Sequence, residues 1–345
     1  MSAPFLAAAM LCAAPSAAAQ AFSDPLDVPA AESRLAARRP LTAVTAAGGR
    51  LVAVGQRGHV LTSDDGGASW AQASVPVSTD LTAVGFPSPR RGWAVGHDGV
   101  ILATADGGRS WVKQLDGRAL APLLAAERER RRGGGPELLG QLEVLAGRGT
   151  GQAFLDVWFA DERAGFAVGA FNLVVHTEDG GASWTPWIDR TENPAGLHLY
   201  AIRRVAGEVW IAGEQGLVLK LDPAARRFVR VPLPYGGSLF GVTGDEQTVV
   251  LHGLRGSAFR SGDRGATWRR VPTGVAGALT GAAQLPGGRL VLVTQGGDLL
   301  VSGDRGASFA LAKAARALPA AAVAAADAET VVIVGADGAR LERLR

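Results

Sequence analysis

Cysteine is almost absent: Cys12 is the single one in 345 residues. It falls inside an apolar leader, so the mature chain is expected to hold no disulfide and no thiolate metal site, and packing alone must stabilise it. Lysine is nearly as scarce, with only Lys113, Lys220 and Lys313. Positive charge therefore rests on arginine, whose planar guanidinium suits bidentate contact with carboxylates and phosphates. A net charge of +3 is too small to argue for a nucleic-acid partner. Beyond residue 21 no uninterrupted apolar run reaches about 18 residues, the length a membrane-spanning helix needs.

Chemistry-bearing residues are thinly spread. Only two tyrosines occur, Tyr200 and Tyr235, and the five histidines (His59, His97, His176, His198, His252) show no ligand-like spacing. There is no Gly-x-Ser-x-Gly nucleophile elbow and no phosphate-binding loop. The expectation is a protein without catalytic residues, metal or cofactor.

Glycine, by contrast, is abundant at 47 residues, alongside 47% hydrophobic and 19% charged residues, a composition of packed, turn-rich globules. Residues 1–21 are apolar and end Ala17, Ala18, Ala19, Gln20, Ala21, as a secretory signal does. Residues 22–345 are then the expected mature domain, periplasmic or otherwise extracytoplasmic.

One octapeptide, Ser/Thr-x-Asp-x-Gly-x-Ser/Thr-aromatic, recurs at 63–70, 104–111, 177–184, 261–268 and 302–309, with a decayed copy around Asp222 and Phe228. Before each lies a second turn of the form Gly-x-x-Gly or a close variant: Gly55/Gly58, Gly96/Gly99, Gly169/Asn172, Gly213/Gly216, Gly253/Gly256, Thr294/Gly297 and Gly335/Gly338. The second members are spaced 41, 73, 44, 40, 41 and 41 residues apart, so one step holds an insertion. Between the turns run short β-branched and aromatic stretches, four to a unit. The class is all-β: a seven-bladed β-propeller with blades near 41–77, 80–115, 152–189, 198–233, 238–273, 278–312 and 318–345. The last unit shows three strands, so the extended segment at residues 24–29 is expected to supply its outer strand and close the ring.

In each octapeptide the aspartates Asp65, Asp106, Asp179, Asp263 and Asp304 sit at a hairpin where a carboxylate can accept from following backbone N–H groups; their role is read as structural. The insertion, roughly 116–150, reads as two short helices over 118–132 and 137–145 joined by Gly133, Gly134, Gly135 and Pro136. Antiparallel strand order places it on the face of the Gly-x-x-Gly turns, opposite the octapeptides. Arg57, Arg255, Arg128, Arg130, Arg131 and Arg132 share that face and are the candidate partner-binding residues.

The octapeptide is the Asp-box, or BNR, repeat, found in sialidases, xyloglucan hydrolases and sortilin-type receptors. The regular spacing and the pairing of Phe154–Phe159 with Thr-Glu-Asp-Gly-Gly-Ala-Ser-Trp at 177–184 resemble most the photosystem II stability/assembly factor family, in its non-photosynthetic bacterial branch. That resemblance implies a monomeric, non-enzymatic extracytoplasmic propeller that binds membrane-protein subunits or other extracytoplasmic proteins during assembly, partly through an arginine-rich patch. The alternative is an Asp-box glycoside hydrolase of the sialidase kind, which would need a cluster of three arginines with a Tyr–Glu pair around the central channel.

Overall fold

The computed structural model describes residues 23–312 and 317–344, so the expected signal peptide and Lys313 lie outside the described residues. Seven antiparallel sheets follow one another along the chain, six of four strands and one of three. Their inner strands are Leu41–Ala47, Leu81–Gly85, Phe154–Phe159, Leu199–Val205, Leu239–Gly244, Leu279–Gln284 and Ala322–Ala325. Each inner strand packs against that of the next blade, and Leu41–Ala47 packs against Ala322–Ala325 to close the circle.

Second strands such as Val249–Gly253 and Leu290–Thr294 are buried along their whole length, since both faces meet a neighbouring blade. Large side chains wedge between blades: Trp93 and Trp210 are fully buried, and Trp93 stacks on Phe159 of the next blade at 3.5 Å. Each such side chain contributes about 1.5–3 kcal/mol through area removed from water.

The Gly-x-x-Gly turns outlast the octapeptides for a steric reason. A Cβ on Gly55, Gly96, Gly169 or Gly253 would stand 2.3, 2.1, 2.1 or 2.2 Å from the carbonyl oxygen that leads into the same blade's inner strand. Those carbonyls accept from the residue after the glycine, as His97 N–H does to Asp80 O at 2.9 Å. No side chain fits there.

Residues 24–29 do not supply the outer strand of blade seven, which among the described residues is the three-stranded sheet Ala322–Ala325, Thr330–Gly335, Gly338–Arg343. The segment crosses blades one and two instead. Ser78 N–H donates to Pro25 O at 2.8 Å, Ala30 N–H donates to Val75 O at 3.0 Å, and Leu26 is buried. Its carboxylates are drawn to Arg118 in the insertion, Asp24 at 2.5 Å and Asp27 at 2.8 Å. Closure between blades seven and one comes from apolar packing of Ala36, Leu41, Val44, Ala53 and Leu61 against Ala324, Val332 and Val334.

Candidate functional site

The insertion forms two helices, α1 (Gly117–Arg130) and α2 (Pro136–Gly147). Asp116 caps α1 by accepting from the N–H groups of Arg118 and Ala119, and Pro136 starts α2 where a missing N–H costs nothing. Leu120, Leu124, Leu142 and Leu145 bury themselves in the core shared by blades two and three.

Polar contacts then fix the helices to the turn face. Gly117 N–H donates to Asp98 O at 2.7 Å, in the turn of blade two. In blade three the turn carries Asn172, at φ 62°, where all of the other six have glycine. Its side chain, 1% exposed, donates to Gln141 Oε1 of α2 at 2.9 Å and accepts from Thr191 Oγ1 at 3.0 Å and Asn193 Nδ2 at 3.1 Å. Gln141 in turn donates to the carbonyls of Asn193 and Pro194.

The candidate arginines are scattered over this face. Arg57 and Arg255 are exposed at the turns of blades one and five, three blade positions apart. Those of the insertion are engaged by the insertion's own acids. Arg130 and Arg131 both grip Glu127, Arg131 also reaches Asp189 at 2.7 Å, Arg132 pairs with Glu129, and Arg128 lies 3.5 Å from Glu143. Burial pushes the Glu127 carboxyl up, but the Arg131 and Arg130 guanidiniums outweigh it and hold the group below its usual range.

Another basic cluster lies on the outer rim between blades three and four, beside α1. Trp187, 4% exposed, carries Arg190 over its ring at 4.7 Å and Arg226 at 5.9 Å. Two hollows share Arg190: one of about 280 Å³ lined by Leu123, Glu127, Arg130, Arg131, Trp184 and Pro186, and one of about 390 Å³ lined by Asp189 and residues 224–227. Sequence reasoning missed this cluster; its one local signal is a second tryptophan, Trp187, three residues after the Asp-box Trp184.

The Asp boxes turn their polar atoms on themselves. In the first, Asp65 accepts from Ser69 N at 2.9 Å and from Ser63 Oγ at 2.7 Å, and Gly67 N–H donates to Ser63 Oγ at 2.8 Å. The same pattern recurs at Asp106, Asp179, Asp263 and Asp304. Donated hydroxyl and amide hydrogen bonds hold all five carboxyls at about 2; at Asp106 burial pushes upward and these donors outweigh it.

Inside the ring is a channel of about 380 Å³. Its lining includes one arginine, Arg203, bound to Asp156, whose carboxylate also accepts from Ile202 N–H at 2.7 Å and so ties blade three to blade four. Tyr200 lines the same channel, its hydroxyl pushed up by burial. His252 is fully enclosed, bonded through Nδ1 to Leu279 O at 3.0 Å, and burial lowers it to about 4. The three-arginine cluster of a sialidase is not assembled among these lining residues. No group of three His, Cys, Asp or Glu among the described residues could hold a metal ion.

A family model described as photosynthesis system II assembly factor YCF48 matches residues 42–121 and 146–308, well over half of the chain. The chain belongs to that family. The stretch the family model passes over, 122–145, takes in most of α1 and α2 and the turn between them.

Among the relatives, the photosystem II assembly lipoprotein Ycf48 of Synechococcus sp. (strain CC9902) is 27% identical over 156 residues, 44% of this chain and 46% of that protein. The chloroplastic photosystem II stability/assembly factor HCF136 of Oryza sativa subsp. japonica is 24% identical over 218 residues, 55% and 52% of the two chains. The chain thus spans about half the length of the curated relatives it matches. A solved structure described as YCF48 bound to D1 peptide superposes with a TM-score of 0.64 at 15% identity, covering 90% of this chain and 94% of the other. YCF48 from Cyanidioschyzon merolae gives 0.63 at 16% identity, with 89% and 96% covered. The WD40 propeller domain of Doa1 scores 0.63 at 12%, so these likenesses carry the fold alone.

Proposed function

We propose that this member of the family is a non-enzymatic, extracytoplasmic scaffold that holds membrane-protein subunits while a complex is assembled, docking them through the face and rim that carry α1 and α2. One observation carries the reading: a helical pair interrupts an otherwise regular repeat, lies mostly where the family model has no match, and is still locked to the propeller through Gly117 on Asp98, Gln141 on Asn172 and Arg131 on Asp189. Insertions of this length in compact domains are often functional, and a rigid mount is what a docking element needs. The relatives' names, assembly factors rather than enzymes, point the same way, as does a relative of this fold described as bound to a peptide of D1. No helix among the described residues is long and apolar enough to cross a membrane.

The experiment is affinity capture from the source membranes, read by mass spectrometry, comparing the full chain with a variant lacking residues 118–148. Membrane-protein subunits are expected with the full chain and at strongly reduced yield with the variant; equal recovery from a folded variant would refute docking through this element.

A further inference from the structure

We propose that the outer edge of blade seven pairs with the same edge of a second copy of this chain, giving a twofold-symmetric dimer joined by two antiparallel Gly338–Arg343 strands. Neither α1 nor α2 takes part, so the dimer stands apart from the docking reading above. The family resemblance implies a monomer; this edge argues for a pair.

Among the described residues blade seven is the one sheet of three strands, and its third strand is left as an edge. Leu341 stands there, three residues after the second glycine of the turn, and is 42% exposed. The corresponding side chains in the six blades that have a fourth strand, Leu61, Leu102, Val175, Leu219, Phe259 and Leu300, are 0 to 3% exposed. Backbone groups are left open as well. Leu344 N–H turns inward to Glu329 O at 2.7 Å, and antiparallel alternation then turns the N–H and C=O groups of Ala339, Leu341 and Arg343 outward, where no described residue bonds them. A row of this kind is a template for another strand. Arg340 adds an independent sign: its Nη2 donates to Leu318 O at 3.1 Å, but its Nε is buried with no hydrogen-bond partner among the described residues.

The side chains along the edge decide which strand fits. Outward-facing residues must meet outward-facing ones, which leaves few places for the twofold axis. On Arg340, Glu342 or Arg343 it would set like charges face to face. On Ala339 it would set Leu341 against Asp337 and shorten the ladder. On Leu341 it sets leucine against leucine, pairs the open groups of Ala339 with those of Arg343 across the axis, and brings Arg340 opposite Glu342 on both sides. Such self-complementarity is what an isologous contact between two copies requires. One pair of six-residue strands falls short of the roughly 1,200 Å² that stable interfaces bury, so the dimer is expected to form in the micromolar range.

The test is sedimentation velocity of the full chain between about 1 and 100 µM. The mass is expected to rise with concentration toward that of two chains. Leu341→Lys, at a half-exposed site, sets two ammonium groups against each other on the axis and should weaken association about tenfold or more, as should Leu341→Glu. Mixing these two variants should restore it, each lysine facing a glutamate. Leu341→Pro removes an N–H that the blade itself does not use, and should give a folded monomer should the charged variants melt early. Val112→Lys, equally a charge on an exposed apolar site but on the outer strand of blade two, should match the parent. One-chain mass at every concentration overturns the proposal. So does undiminished association of a folded Leu341→Lys, or a mixture of the lysine and glutamate variants that associates no better than either alone. A chain that associates only once residues 1–22 are removed overturns it too, because those residues rather than a second copy would then hold the edge.

Discussion

Replacing Asn172 with glycine would restore to blade three the residue that all six other turns carry, and it should loosen the insertion. The side chain removed is 1% exposed and bonded to Gln141, Thr191 and Asn193. Thr191 keeps the Ile188 carbonyl at 2.9 Å and Asn193 keeps the Leu197 carbonyl at 2.9 Å, so the loss is nearer two hydrogen bonds than three, about 2 kcal/mol. Against it, glycine occupies the left-handed region without the Cβ clash that asparagine bears at φ 62°, which returns about 1 kcal/mol. The net loss of about 1 kcal/mol falls on the contact between the turn and α2. Local opening there should become about fivefold more frequent. Hydrogen exchange followed by mass spectrometry reads this directly: peptides covering 136–147 should exchange about fivefold faster while inner-strand peptides of blades five and six keep their rates. Unchanged exchange in α2 together with a higher melting temperature would refute the argument, since it would mean that glycine's backbone gain is real and that the asparagine network contributes nothing to holding the helices.

Asp156→Ala leaves the Ile202 N–H buried without its acceptor while half-exposed Arg203 recovers water, so a loss of about 2 kcal/mol is expected in chemical denaturation, with Asp156→Asn losing less; a change within error would remove the blade-to-blade tie. The five box aspartates have folded pKa values of about 2, below an unfolded value of about 3.9. Their stabilisation is therefore full above about pH 4 and lost as pH falls toward 2; in melting temperature against pH, Asp179→Asn should lower the plateau and shrink the drop across that window. Deleting residues 23–31 removes the contacts to Val75, Ser78 and Arg118, so exchange should rise in α1 and around 72–78 and stay unchanged in Gly338–Arg343; faster exchange in blade seven would restore the closing-strand model.

The ring and its blade count were legible because the constraint behind them is local. A glycine demanded by a carbonyl 2.1 to 2.3 Å from its absent Cβ in most blades, and replaced at this position in blade six by Thr294, leaves a mark at near-regular spacing along the chain. The helical insertion was legible for the complementary reason, since it breaks that spacing and brings its own cap in Asp116 and its own start in Pro136. The closing strand was misread because residues 24–29 show an extended pattern without an address. What places them is Arg118, about 90 residues away, together with a buried Leu26, and no local pattern encodes that.

The arginine run teaches a different lesson, because its neutralisation was written locally. Arg130 and Arg131 stand three and four residues after Glu127, the spacing at which helical side chains meet, so a run that looks basic in one dimension is largely paired once it coils. The rim cluster reverses the case. Arg190, after the outer strand of blade three, and Arg226, before the outer strand of blade four, look unremarkable in sequence and converge only because the packing of the two blades brings both over Trp187. Charge that is contiguous along this chain satisfies itself within its own element, whereas charge from separate elements is gathered onto one rim where successive blades pack. A partner surface is therefore better sought where elements of two blades converge than in a charged run, and Arg190, stacked on Trp187 without an ion pair to any described carboxylate, marks such a place.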